Sequence, residues 1–343
     1  MAIRKGRHRI QEFALIQALA RRFAKKSSHL VQGIGDDAAV IATPAGRQQV
    51  LTTDLLAEGI HFDLRTASFE DIGYKAAIAN LSDIAAMGAR PEHVLVALAI
   101  PASCTESNIL RLYQGLMAAC RPYAVSLIGG DTSASLGGLF LSLTVTGTVP
   151  AGSALLRSGA RVGDLIYVTG TIGDSLAGLQ LLSRRKQLAV SRLSRKDREF
   201  LIARHRRPIA HCRFGQLLNR LQLADASIDL SDGLSGDLRH LCEKSLVGAE
   251  IHAAALPLSP SLMAYAKASH IDPMALALQG GEDYELLFTV PQSNSRRLHR
   301  VARKPGRRVT CIGVIRPRRF GLQMCLDDGA MRPIPMTSYE HFH

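Results

Sequence analysis

The sequence predicts a two-domain α+β protein, and three observations carry that prediction. The chain has 343 residues, which is about twice the length of a typical domain. Its composition, with 47% hydrophobic and 21% charged residues, is that of a globular protein and excludes a wholly disordered chain. Helical and strand patterns are mixed in both halves, which favours α+β domains over a bundle or a sandwich.

Residues 1–150 are predicted to form the N-terminal domain. Apolar residues recur at helical spacing over residues 10–26, and a second helical pattern at 69–87 ends at Gly88. Short apolar runs bounded by turn residues predict strands. The predicted strands are 31–41, 49–55, 93–100, 125–128 and 139–149, and a third helix is predicted at 106–121.

Residues 151–343 are predicted to form the C-terminal α+β domain, because the segment 150–163 is rich in Gly, Ala, Ser and Arg and has the composition of a boundary. The same patterns predict its elements. Strands are expected at 165–169, 227–230, 284–290 and 309–315, and helices at 174–182, 196–204, 209–221 and 232–244.

The sequence shows no sign of membrane insertion or of a disulfide framework. No apolar run reaches the roughly 18 residues that a spanning helix needs, and the basic N-terminus lacks the features of a signal peptide. The six cysteines form no CxxC pair, so we expect reduced, mostly buried thiols and no structural zinc. Together these features predict a cytoplasmic protein.

The net charge of +13 comes from basic residues that cluster in residues 1–26, 184–207 and 296–319. Such a surface attracts polyanions. However, Trp is absent, aromatic residues make up only 5%, and no zinc-finger spacing or other nucleic-acid motif is present. We therefore interpret the clusters as solvated basic surface and do not expect nucleic-acid binding.

Acidic residues recur at predicted strand ends and in glycine-rich turns. They are Asp36 and Asp37, Asp54, Asp83, Asp131, Asp229 and Asp232, and Glu282 and Asp283. Turn chemistry explains any one of them, and Ser231 or Asp232 fits the N-cap of the helix 232–244. Collected at one site, however, they would repel each other, and a hard divalent cation resolves that repulsion.

The donor types favour magnesium or manganese. Carboxylates with the hydroxyls of Thr52, Thr53 and Ser82 are oxygen ligands, whereas the His and Cys spacing of zinc sites is missing. Magnesium held in this way usually bridges substrate phosphates, and the neighbouring glycine pairs allow close approach of the backbone. Because no Walker A or protein-kinase motif is present, the residues predict a Mg²⁺-dependent phosphate-handling enzyme of a less common type.

Seven motifs, in order, carry a resemblance to a known family. They are GIGDDAAVI (33–41), TTDLLAEGIHF (52–62), YKAAIANLSDIAAMGARP (74–91), LIGGDTS (127–133), LRSGARVGDLIYVTGTIGDSLAGL (156–179), IDLSDGL (228–234) and GGEDYELLFTV (280–290). The chain resembles the thiamine-monophosphate kinases, in the superfamily of aminoimidazole ribonucleotide synthetase and selenophosphate synthetase. The resemblance runs from about Glu12 to Phe342 and is highly specific.

The resemblance implies ATP-dependent phosphorylation of thiamine monophosphate to thiamine diphosphate, by direct in-line transfer with Mg²⁺. It also implies a homodimer whose N-terminal sheets pair, with ATP in a groove between the domains and partly at the dimer interface. The implied metal positions are Asp37, Thr52, Thr53, Asp54, Asp83, Asp131, Asp229 and Asp232.

The resemblance also assigns nucleotide and substrate contacts. ATP would contact Gly130, Asp131, Arg157 and Ser231, with Asp131 and Arg157 as the catalytic pair. The substrate would contact His61 through its phosphate, Glu282 through the pyrimidine amine and Tyr339 through ring stacking. As residues alone, His61 fits the edge of a core equally well, and Tyr339 fits an ordinary cap on the C-terminal segment.

Two alternatives remain beside this expectation. A related ATP-dependent synthetase acting on a ribonucleotide or selenide is disfavoured by the wording of the last two motifs and, for selenide, by the absence of any cysteine before Cys104. A basic nucleic-acid-binding protein that lost catalysis is disfavoured because every implied metal position carries Asp or Thr. The family often has Ser where this chain has Thr52, and the hydroxyl is kept.

Overall fold

The computed structural model describes residues 12–23, 29–32, 40–183, 192–303 and 308–335. The chain divides into two compact units. Unit 1 comprises Met1–Ile84 and Pro91–Ala151, and unit 2 comprises Ala85–Arg90 and Gly152–His343. Both units combine helices with β-sheet, which confirms the predicted α+β class.

Unit 1 is built around a four-stranded sheet whose strand order is β3-β6-β4-β5. Strands β3 and β6 pair antiparallel, whereas β4 and β5 pair parallel. The strands are β1 (Leu30–Gln32), β2 (Val40–Ile41), β3 (Arg47–Ala57), β4 (Arg90–Pro101), β5 (Ser126–Ser135) and β6 (Phe140–Pro150). The helices are α1 (Glu12–Phe23), α2 (Phe69–Ala86) and α3 (Glu106–Cys120).

Local sequence explains these elements well where apolar runs are long. The apolar run of β4 is largely buried, and α3 begins at a capping box in which Thr105 and Asn108 bond each other's backbone. Two predictions were wrong in extent. The expected strand 31–41 is two short strands flanking residues outside the described part, and β5 continues through polar residues to Ser135 because it is an exposed edge strand.

Unit 2 contains a seven-stranded sheet of order β13-β12-β9-β11-β7-β10-β8. Only the β12–β9 pair is parallel among the strand pairs that the structure describes there. The strands are β7 (Leu165–Thr169), β8 (Ala226–Asp229), β9 (Val247–His252), β10 (Leu286–Val290), β11 (Val309–Pro317), β12 (Leu322–Cys325) and β13 (Met331–Pro333). The helices are α4 (Asp174–Leu182), α5 (Arg195–Arg206), α6 (Cys212–Arg220), α7 (Leu234–Ser245), α8 (Pro260–Ser269), α9 (Pro273–Gln279) and α10 (Gln292–Ala302).

The cysteines and the lengths of the helices test two further expectations. All six cysteines are free thiols and four of them are buried, as predicted. Within the described residues, none of the helices combines the length and the apolar character needed to cross a membrane.

Candidate active site

In unit 1 the structure brings together three of the predicted metal-binding side chains. Thr52 and Asp54 alternate with Thr53 along β3, so they share one face of the sheet. The Thr52 hydroxyl donates to Oδ2 of Asp83, which α2 presents, at 2.5 Å. Burial, followed by the repulsion of the Asp83 carboxylate, raises the pKa of Asp54 to about 6. Two acids of like charge therefore lie side by side in a partly buried place.

The neighbouring hydroxyls do not join this group. Strand alternation turns Thr53 to the opposite face of β3, where its hydroxyl donates to the carbonyl of Leu143 at 2.9 Å. Ser82, on α2, is fully buried. Strand geometry alone would have separated Thr53 from Thr52 and Asp54.

His61 lies in the turn after β3, and its role in the turn is well defined. Its Nδ1 accepts the backbone N–H of Ala57 at 3.0 Å, so a neutral ring carries its proton on Nε2. The side chain is half-buried. His61 is therefore anchored by the backbone and presents an N–H donor of the kind that a phosphate oxygen accepts.

Asp131 and Gly130 lie on β5, at the other edge of the unit 1 sheet from Asp54. Asp131 is exposed. A Cβ at Gly130 would lie 2.0 Å from the carbonyl oxygen of Val96, so strand packing by itself requires glycine there. Three strand spacings amount to roughly 14 Å, so Asp54 and Asp131 of one subunit do not ligate the same ion.

In unit 2 the end of β8 carries Asp229, and the loop after it carries Ser231 and Asp232. Asp229 is buried at the end of β8, and the other two side chains are half-buried. The expected N-cap by Ser231 or Asp232 was wrong, because Gly233 is the N-cap of α7 and makes no side-chain cap bond. Instead, the Asp237 carboxylate of α7 accepts the backbone N–H groups of Ser231 and Asp232, at 3.1 and 3.2 Å.

Asp237 is a buried carboxylate that fixes the loop after β8. It is 2% exposed, and burial, followed by the Asp232 carboxylate, raises its pKa to about 7. The positive charge of Arg157 acts in the opposite direction on this pKa. The Arg157 side chain is exposed, so its guanidinium can meet phosphate oxygens while its charge reaches the loop.

The segment 280–285 is bonded directly to that loop. The N–H of Glu282 donates to the carbonyl of Ser231 at 2.8 Å, and the N–H of Tyr284 donates to that of Leu230 at 2.9 Å. Both Glu282 and Tyr284 have positive φ, at 63° and 53°. Such backbone costs about 1 kcal/mol or more per residue and persists only where surrounding contacts fix it. A backbone hydrogen bond thus fixes the positions of Glu282 and Ser231, two predicted contact residues, relative to each other.

A buried charge network stabilises the same segment, and sequence reasoning missed it. Glu285 is 2% exposed and accepts from Arg204 at 2.7 Å and from Thr169 at 2.5 Å, while His211 Nε2 lies 2.6 Å from its Oε2. Although burial opposes ionisation, His211 and Arg204 hold the pKa of Glu285 at about 2. Asp283 accepts the backbone N–H groups of residues 173 and 175 at the start of α4. No local pattern marks these two acids as structural, because Arg204 lies 81 residues before Glu285 and the N–H groups that Asp283 accepts lie more than 100 residues before it.

Two predicted site residues, Asp37 and Tyr339, lie outside the described residues. Among the described residues, no group of three or more His, Cys, Asp or Glu side chains could hold a metal ion. The donor set of Thr52, Asp54 and Asp83 nevertheless fits a hard divalent cation. Its ligand atoms are all oxygens, and the pKa of Asp54 is raised by burial and then by the Asp83 carboxylate, so a bound cation would favour the ionised form there.

Comparison with known proteins agrees with this fold. Residues 35–149 match the AIR synthase related protein N-terminal domain, and residues 161–324 match the corresponding C-terminal domain. Together the two matches span most of the chain in the order expected. They define the class of the protein as AIR synthase related.

Individual relatives narrow that class. A thiamine-monophosphate kinase of Escherichia coli K12 is 41% identical over 334 residues, covering 96% of this chain and 98% of that protein. The crystal structure of thiamine-monophosphate kinase from Stenotrophomonas maltophilia K279a is 36% identical with a TM-score of 0.78, covering 92% of this chain and 95% of that one. A structure described as AaThiL complexed with AMPPCP and TMP is 35% identical with a TM-score of 0.76, covering 96% and 97%. The chain belongs to the thiamine-monophosphate kinase family.

Proposed function

We propose that this protein transfers the γ-phosphoryl group of ATP to thiamine monophosphate and so makes thiamine diphosphate. The observation that carries the proposal is near full-length similarity to thiamine-monophosphate kinases at 41% identity. A similar structure described with AMPPCP and TMP supports the pairing of these two substrates. The partly buried acids of unit 1 and the phosphate-accessible Arg157 of unit 2 supply suitable chemistry.

The reaction balances as a single displacement. An oxygen of the substrate phosphate attacks the γ-phosphorus of ATP, and the new O–P bond forms as the bond to the β,γ-bridging oxygen breaks, which releases ADP. The attacking phosphate is already an anion, so the protein needs no strong general base. Its residues act by positioning and by electrostatic stabilisation.

Thr52, Asp54 and Asp83 form the partly assembled metal-binding group of unit 1. Asp37 and Asp131 of unit 1 and Asp229 and Asp232 of unit 2 remain proposed metal ligands, whereas Thr53 faces the opposite side of β3 and is not a member of this group. Bound Mg²⁺ supplies neutralisation of the phosphate charges. Before it binds, the Asp54 and Asp83 carboxylates keep a partly buried, electronegative place in which a cation is favoured.

The proposed substrate contacts are those that the family resemblance assigns. The Arg157 fork pairs with ATP phosphates, and Gly130, Asp131 and Ser231 are the other proposed ATP contacts. His61 donates to the phosphate of thiamine monophosphate, and Glu282 accepts from its aminopyrimidine. Tyr339 stacks on a substrate ring.

We further propose a homodimer formed through the unit 1 sheet. The outer face of β3 exposes Leu51 and Leu55, at 62% and 58%, which is unusual for large apolar side chains on a strand. A second copy covering this face of the sheet buries both side chains. Sedimentation that gives a monomer at micromolar concentration would reject this arrangement.

The free thiols fit a reducing compartment, and we propose that the enzyme works in the cytoplasm.

A product assay tests the proposed function. Purified protein is incubated with ATP, Mg²⁺ and thiamine monophosphate, and thiamine species are separated by chromatography, with free thiamine as a parallel acceptor and EDTA as the metal control. Thiamine diphosphate formed only from the monophosphate, and only with metal, supports the proposal. Absence of product from folded, ATP-binding protein rejects it.

A further inference from the structure

Helices α4 and α5 of unit 2 approach so closely that no side chain fits between them at Gly178. A Cβ there would lie 2.1 Å from the carbonyl oxygen of Leu201 and 2.9 Å from the Cβ of His205. His205 is therefore held against α4, and its Nδ1 lies 3.1 Å from the hydroxyl oxygen of Ser175. The residue is 9% exposed. Its ring is locked by packing rather than free to sample rotamers.

The segment that contains Glu282 is hydrogen-bonded to the start of α4. Asp283 bonds the backbone N–H groups of Gly173 and Ser175 at the start of α4, and the Glu282 N–H bonds the Ser231 carbonyl. The backbone on both sides of Glu282 is thus fixed, although φ at Glu282 is positive. The orientation of the Glu282 carboxylate then depends on what its side chain contacts.

His205 makes such a contact. Its Nδ1 lies 3.5 Å from Oε2 of Glu282 and 3.1 Å from the Ser175 hydroxyl oxygen, so a ring protonated at Nδ1 points its N–H towards these two oxygens. The Glu282 side chain is 28% exposed, so one part meets solvent while Oε2 faces the buried imidazole. A carboxylate held at one oxygen keeps its other oxygen as an oriented acceptor.

We propose that His205 is a positioning residue that holds Oε2 of Glu282 and so orients the carboxylate to accept the amine of the substrate's aminopyrimidine. This inference rests on the proposed function. Preorganisation of this kind lowers the entropy lost when substrate binds, so its loss weakens binding of the substrate without altering the transfer step. His205 thereby selects for an acceptor with an N–H donor on its ring.

The test compares three replacements of His205 in the full-length protein. His205→Leu removes the donor, His205→Gln places an amide near the position of Nε2, and His205→Asn restores one near Nδ1. We expect His205→Leu and His205→Gln to raise the KM for thiamine monophosphate about tenfold, while kcat and the KM for ATP stay within about twofold of the wild type. His205→Asn should bring the KM for thiamine monophosphate back towards the wild-type value. His252→Gln is the matched control, because His252 contacts Glu250 at 3.1 Å in the same unit.

A double-mutant cycle with Glu282→Gln separates positioning from general damage. If His205 acts through Glu282, His205→Leu adds no further increase in this KM when Gln is at position 282. Additive effects, equal increases in the KM for ATP, or a wild-type KM in both His205→Leu and His205→Gln would overturn the proposal. If His205→Leu does not fold, the Gln and Asn variants decide. Failure of the proposed function appears separately, as wild-type protein that makes no thiamine diphosphate.

Discussion

Replacing Asp54 by asparagine is expected to stabilise the metal-free protein while weakening its response to magnesium. In the folded chain the pKa of Asp54 is raised from 3.8 to about 6 by burial and by Asp83. The native state therefore holds this proton more tightly than the unfolded chain does. By linkage, the free energy of unfolding falls as pH rises from about 4 to 6, and the penalty is fully present above that window.

The magnitude follows from the size of the shift. About two pKa units correspond to at most ~3 kcal/mol, and because Asp54 is only partly buried we expect about 1–2 kcal/mol. Asparagine carries no charge at any pH and avoids this cost. At pH 7.5, with EDTA, Asp54→Asn is then expected to raise Tm by roughly 2–4 °C, and the gain disappears towards pH 4.5.

Thermal unfolding at the two pH values, with EDTA and with magnesium, measures both effects. Magnesium should stabilise the wild type more than Asp54→Asn, because the variant has lost a charged oxygen ligand. Asp328→Asn, at an exposed turn of unit 2, is the matched control and should change neither quantity. A variant that is destabilised at pH 7.5, or a difference that does not shrink on acidification, would refute the reasoning.

Three further substitutions probe the catalytic and structural roles separately. Asp131→Asn should abolish turnover with Tm unchanged, because the side chain is exposed; activity retained at saturating Mg²⁺ would contradict its proposed metal role. Arg204→Met leaves buried acids uncompensated and should lower the free energy of unfolding in urea by about 3–5 kcal/mol. Arg195→Met, where the Arg195 side chain is 83% exposed, should change it by less than ~1 kcal/mol, and similar losses in the two variants would argue against the network. Gly130→Ala should lower the free energy of unfolding in urea by more than ~2 kcal/mol, because its Cβ would lie 2.0 Å from a carbonyl oxygen. Gly137→Ala has open space around it and should unfold like the wild type. Equal stability of the two variants would show that β5 relaxes around the added methyl group.

Long apolar runs made much of the fold predictable. Strand β4 and helices α2 and α3 are found where the sequence predicts them, because their buried positions are continuous or recur at helical spacing. Helix α10 was missed for the converse reason, since Leu298 is its one buried residue among those described. Helices α8 and α9 were also missed, although Ser259 before Pro260, and Asp272 before Pro273, are capping signals that the sequence offers.

The candidate site was predictable in composition but not in arrangement. The sequence named Thr52, Asp54 and Asp83, yet the bond between Thr52 and Asp83 joins positions 31 residues apart and depends on how α2 packs. Similarly, Glu285 is 81 residues from Arg204, so no local pattern shows that its charge is neutralised. Long-range partners decide whether an acid is structural or functional, and single-sequence patterns do not contain them.

Glu285 and Asp54 illustrate two different electrostatic situations among the acids of this protein. Glu285 lies beside Arg204 and His211 and its pKa is lowered, so the protein itself balances that charge. Asp54 lies beside another carboxylate and its pKa is raised, as is that of Asp237 beside Asp232. Acids of the second kind are costly to the isolated fold, because like charges in a partly buried place repel each other. Such a cost is expected where binding of a cation recovers it, so we expect Asp54 and Asp83, rather than the more deeply buried Glu285, to respond to magnesium.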